Sequence, residues 1–141
     1  MQSLEYIDVF LRLGAAVLAG ALIGLDREIR DKPAGLRTIT LVSLGSAVFV
    51  LSALDPGTDA ESRVIQGIVT GIGFLGAGTI IRGQTEQSVR GLTTAASIWL
   101  AAAIGIACAL AYWPLVVTAS ALGLLVLTLD GIERRVKAQT K

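Results

Sequence analysis

Leu92-Thr-Thr-Ala-Ala-Ser-Ile-Trp-Leu-Ala-Ala-Ala-Ile-Gly-Ile-Ala-Cys-Ala-Leu-Ala111 runs for twenty residues without a charged side chain. A helix in water needs a polar face, whereas small and apolar residues dominate every face here, so its natural solvent is hydrocarbon. Twenty helical residues rise about 30 Å, the thickness of a bilayer's apolar core. Working outward, similar stretches fill the rest of the chain at about Leu4–Leu25, Leu36–Leu54, Val64–Ile81 and Trp113–Leu129. The expected fold is an all-α membrane domain of five transmembrane helices over residues 1–130. A short basic cytoplasmic tail over 131–141 follows, with no room for a separate soluble domain.

Composition agrees. Mean hydropathy is +0.71, and only 16% of residues are charged against about 25% in soluble domains, which argues against an ordinary soluble fold. A net charge of +1 gives no sign of nucleic-acid binding. Cys108 is the only cysteine and histidine is absent, which excludes an intrachain disulfide, a Cys/His zinc site, a histidine proton relay and a Ser-His-Asp triad. No nucleophile–base or metal constellation is visible, so the chain is expected to be no enzyme and to need no cofactor. Cys108 reads as a small packing residue.

Orientation follows from Lys and Arg. Arg27, Arg30, Lys32 and Arg37 lie between the first two spans, Arg82 and Arg90 between the third and fourth, and Arg134, Arg135, Lys137 and Lys141 in the tail; Arg12 and Arg63 lie at the other ends of spans. Basic short loops stay cytoplasmic, so the N-terminus is expected outside and the C-terminus inside. Glu5 and Asp8 stand where a signal peptide would be basic, so the first segment reads as a retained helix. Asp8 and Arg12, spaced i, i+4, are placed to pair on one face of it.

The third span is the densest local signal, with Gly67, Gly71, Gly73, Gly76 and Gly78 within twelve residues. Its GxGxxG match lacks the preceding strand and the later acidic residue of a dinucleotide site. Two readings remain: small faces on which another backbone approaches closely, or a locally unwound segment lining a cavity. The surplus of such faces leads us to expect a homo-oligomer, a dimer being favoured.

Gly35-Leu-Arg-Thr38 and Gly91-Leu-Thr-Thr94 align at an offset of 56, with seven of twenty positions identical from Gly35 onward, which suggests a parallel repeat of two hairpins. Both copies open spans from the cytoplasmic side. Arg37 and Arg90 stand near span N-termini, where helix ends already favour anions. Arg27, Glu28, Arg37, Thr38, Arg90, Thr93 and Thr94 are therefore the candidate ligand- or partner-binding residues, expected to converge at a cytoplasmic entrance.

Arg27-Glu28, Pro33-Ala-Gly-Leu-Arg-Thr38, Gly71-Ile-Gly-Phe-Leu-Gly-Ala-Gly78 and Arg90-Gly-Leu-Thr-Thr-Ala-Ala96 followed by Trp99 resemble, in order, the signature blocks of the MgtC/SapB family of bacterial inner-membrane proteins. The resemblance implies a role in adaptation to low magnesium, links in pathogens to intracellular survival, and in some members restraint of the F-type ATP synthase. Many members carry a cytosolic ACT-like C-terminal domain; this chain is expected to be either a short, membrane-only form or a truncated piece of a longer protein. Two function classes follow. One is a non-catalytic regulator in the lipid bilayer that contacts itself or another membrane complex. The other is a transporter or channel for Mg²⁺, a monovalent cation or a small solute. Magnesium favours carboxylate oxygens, and spans two to five hold no Asp or Glu in their interiors, so no midplane magnesium site is expected.

Overall fold

The computed structural model describes residues 5–54, 59–82 and 89–139. Among these the chain forms five helices, α1 (Tyr6–Ile29), α2 (Leu36–Ser52), α3 (Ala60–Gly78), α4 (Leu92–Ala109) and α5 (Trp113–Gln139). A two-residue antiparallel ladder joins β1 (Ile81–Arg82) to β2 (Val89–Arg90), with Ile81 opposite Arg90 and Arg82 opposite Val89. This ladder is the departure from an all-helical chain, and it forms where β-branched Ile81 and Val89 flank the connection between α3 and α4. By length and composition α1 and α4 are able to cross a membrane; α2 and the Trp113–Leu129 part of α5 are apolar but shorter.

Helix ends depart from the apolar boundaries because backbone hydrogen bonding, not hydropathy, terminates a helix. The first helix continues past Leu25 until Asp31 turns left-handed at φ 49. There the Lys32 N–H donates to the Arg27 carbonyl at 3.0 Å and the Asp31 N–H to the Glu28 carbonyl at 3.1 Å, the paired bonds of a Schellman stop. α4 ends the same way at Ala111, φ 55, with Tyr112 N–H on the Ala107 carbonyl and Ala111 N–H on that of Cys108, both at 3.0 Å. Pro114 then falls in the first turn of α5, where its missing N–H has no helical acceptor to lose. The residues expected as a tail continue α5 to Gln139, and Lys141 lies outside the described residues.

Three helices carry the core. α1 meets α2 where a Cβ on Gly20 would come within 2.9 Å of Ser43 Cβ and one on Gly24 within 2.8 Å of Leu36 Cα. α4 meets α2 at Gly105, where a Cβ would fall on the Ser43 carbonyl. Ser43 sits at both crossings, fully buried, and its hydroxyl donates to the Ala16 carbonyl at 2.8 Å. Ile23, Ile39, Ile98, Ile104 and Cys108 fill the space between. α3 leans on α4 through Gly76 and Ala95, and α5 covers α4 where Gly123 receives Leu100. Around the outside, Phe10, Leu18, Leu22, Phe49, Phe74, Trp99 and Leu122 are exposed. Such an apolar perimeter suits contact with lipid.

The same contacts fix directions. The C-terminal end of α1 touches the starts of α2 and α4, so α1 runs antiparallel to both. Gly76, near the end of α3, meets Ala95 at the start of α4. One end of the bundle thus gathers the close of α1 and α3 and the opening of α2 and α4.

Candidate functional site

That gathered end is where the candidate residues lie. Arg27, in the last turn of α1, is only 1% exposed. Its Nη2 donates to Thr94 Oγ1 on α4 and approaches the Pro33 carbonyl at 3.5 Å. Glu28 acts on α2 instead. No side chain of its own segment caps α2, whose N-cap is Gly35, and Glu28 Oε2 accepts the Leu36 N–H at 2.9 Å. An acceptor carboxylate at a helix start satisfies an orphan donor and complements the positive helix end. Asp26 pairs with Arg30 at 2.8 Å. The loop Arg30–Gly35 is thereby strapped across the junction, with Ala34 held at φ 57.

The seven candidates do not form one cluster. Arg27 and Thr94 meet, and Glu28 reaches the start of α2. Arg37 and Thr38 turn instead onto a groove between α2 and α3, while Arg90 and Thr93 are exposed and make no side-chain hydrogen bond or ion pair among the described residues. The repeated Gly35 and Gly91 do take equivalent places, each as the N-cap of its helix. Gly91 has φ 92, and a Cβ there would strike the Thr79 carbonyl, so this hinge from β2 into α4 requires glycine.

The glycines of α3 divide likewise. The helix is unbroken from Ala60 to Gly78, so there is no unwound segment within it. Gly76 packs on Ala95, whereas Gly67, Gly71, Gly73 and Gly78 have nothing within 4 Å of a built Cβ. Gly67 and Gly71 line the α2/α3 groove, a cavity of about 800 Å³ walled by Val42, Gly45 and Phe49 across from them. Arg37 stands at one end and Arg63 at the other. Sequence reasoning missed that Gly20, Gly24 and Gly105 are the close-approach glycines and that Arg63 borders a cavity. The Gly20xxxGly24 spacing, the same as in Gly67xxxGly71, was the available signal.

At the far end of the bundle, Arg12 pairs with Asp8 at 2.8 Å and donates through Nη1 to the Ala109 carbonyl at 2.6 Å. A cation on the last carbonyls of α4 complements the negative helix end. Arg12, Arg27 and Glu28 each bond another helix or its end, an arrangement that holds a bundle closed, while Arg12 Nε and Asp26 Oδ2 are buried without a hydrogen-bond partner among the described residues. The groove is the part left open to a ligand.

Comparison with known proteins gives a consistent result. Residues 13–136 match the MgtC family. The chain is similar to Protein MgtC of Salmonella typhimurium, 52% identical over 100 residues that make up 71% of this chain and 42% of that protein. It is 50% identical over 97 residues to Protein MgtC of Brucella abortus, covering 68% of this chain and 40% of that one. It is also similar to Protein SrpB of Synechococcus elongatus, 41% identical over 143 residues, 92% of this chain and 78% of that protein. The chain therefore spans less than half the length of the MgtC proteins it matches. No solved structure matches it.

Proposed function

The chain belongs to the MgtC family of membrane proteins, and from that premise we propose that it is a non-catalytic regulator embedded in the bacterial inner membrane, active in adaptation to low magnesium. It works through contacts with itself or with another membrane complex, the F-type ATP synthase being the candidate that the family resemblance suggests. The observation that carries this reading is the engagement of the polar residues: Arg27 with Thr94, Glu28 with α2, and Asp8 with Arg12 and the end of α4 all serve to close the bundle. A carrier for a divalent cation needs carboxylates facing a path. Here Asp8 and Asp26 are each paired with an arginine four residues on.

The five helices act as five spans, with the N-terminus outside and the C-terminus inside. Support comes from charge: Arg27, Arg30, Lys32, Arg37 and Arg90 belong to the gathered end, while Arg12 and Arg63 at the other end are accompanied by Asp8, Asp59 and Glu61. Self-association uses the outward face of α3, where Val69, Gly73 and Phe74 are exposed.

Reconstitution of the purified chain in liposomes tests the functional reading. The expected outcome is no flux of Mg²⁺, K⁺ or protons above protein-free liposomes, from protein that restores low-magnesium growth to a strain lacking its own family member. Specific flux abolished by a point substitution makes the chain a transporter and ends the regulator reading.

A further inference from the structure

The groove between α2 and α3 combines an apolar lining with an arginine at each end, and neither Arg37 nor Arg63 has an ion pair or side-chain hydrogen bond among the described residues. Its volume of about 800 Å³ lies within the ~300–1,000 Å³ typical of sites that hold one small molecule. From Arg37 to Phe49 α2 advances about 18 Å at ~1.5 Å per residue, so the groove is a long, narrow channel running beside most of α2.

We infer that the groove holds an acyl chain of an anionic phospholipid, with the lipid phosphate on the Arg37 guanidinium and the Thr38 hydroxyl. Charge selects the end. Arg63 shares the first turns of α3 with Asp59 and Glu61, which outnumber it, whereas in the segment 26–37 the basic Arg27, Arg30, Lys32 and Arg37 outnumber Asp26, Glu28 and Asp31, and the positive end of α2 lies beneath Arg37. Glu28 is bonded to the Leu36 N–H, and no acid forms an ion pair with Arg37 among the described residues. A guanidinium offers a planar fork matched to phosphate oxygens, and basic residues between transmembrane helices on the cytoplasmic side are the usual seat of acidic headgroups. Gly45, Gly67 and Gly71 keep the channel below open, with no atom within 4 Å of a Cβ built on any of them.

The inference rests on the chain being a membrane protein, and resistance of the expressed chain to alkaline extraction from membranes checks that premise separately. The test is native mass spectrometry of the full chain purified from membranes and exchanged against dioleoyl phosphatidylglycerol and dioleoyl phosphatidylcholine. The expected result is retention of one phosphatidylglycerol in preference to phosphatidylcholine. That preference falls about fivefold in Arg37→Gln, the weight of one arginine beside an anionic surface, and stays in Arg63→Gln. Gly71→Leu, which fills the channel, should lose both lipids. Equal retention of the two lipids by the wild type, or an undiminished preference in Arg37→Gln, overturns the inference while leaving the membrane premise standing. Cross-linking of Gly71→Cys between copies with no lipid retained also overturns it and gives the groove to a second copy.

Discussion

Arg27 shows how a single side chain sets the architecture of one end of the bundle. A guanidinium only 1% exposed is tolerated when its donors find acceptors, and leaving a buried charged donor unmet is costly. Thr94 supplies one acceptor from a helix 67 positions away, so the bond fastens the close of α1 to the opening of α4. Thr94→Val should lower stability by about 1.5–3 kcal/mol, the range for hydrogen bonds to charged groups, and Thr94→Ser should retain most of it. Unfolding midpoints of the two variants in mild detergent check this; equal midpoints for Val and wild type would show that the bond adds nothing. Both residues were legible as members of the same end from their place beside span boundaries. Their pairing was not, because Arg27 and Arg37 look alike as basic residues flanking a span. Only the turn of each helix decides that one points inward to Thr94 and the other outward to a groove.

At the scale of the element, the glycines separate propensity from packing. Glycine costs about 1 kcal/mol of helix propensity against alanine, so each one in a helix either admits a neighbour or serves another purpose. Gly105 admits α2: an added Cβ would fall on the Ser43 carbonyl and within 3.0 Å of Ser43 Cα, which is backbone and cannot swing aside. Gly71 faces open space. Gly105→Ala should therefore destabilise the bundle by about 1–3 kcal/mol, as overpacking does, while Gly71→Ala should be neutral or up to about 1 kcal/mol stabilising. Denaturant titration of both variants compares them directly, and similar losses at the two sites would contradict the packing described. The sequence drew attention to α3 because its glycines are densest. Local density does not say which glycine faces a helix, since that depends on where another chain segment crosses.

For the whole molecule, the three-helix core of α1, α2 and α4 leaves α3 attached mainly through α4 and exposed on its outer side. If Gly73 and Phe74 meet a second copy there, the wild type should run as a dimer in mild detergent and Gly73→Leu as a monomer, measured by light scattering on a sizing column. The same size for both would remove this face as the interface, and Arg37→Gln provides a folded control whose substitution lies on the groove.

What the sequence determined by itself was the helical membrane class and the approximate position of each helix. Those properties follow from solvent preference and from the ~1.5 Å rise per residue, which act within a single segment. The tertiary structure decided that Gly20, Gly24 and Gly105 are the crossing points, that the arginines divide between a buried bond and an open groove, and that α1 and α5 outlast their apolar runs. Contacts between distant segments and the hydrogen bonds at helix ends depend on how helices are rotated and where they cross, and no window of sequence contains that information.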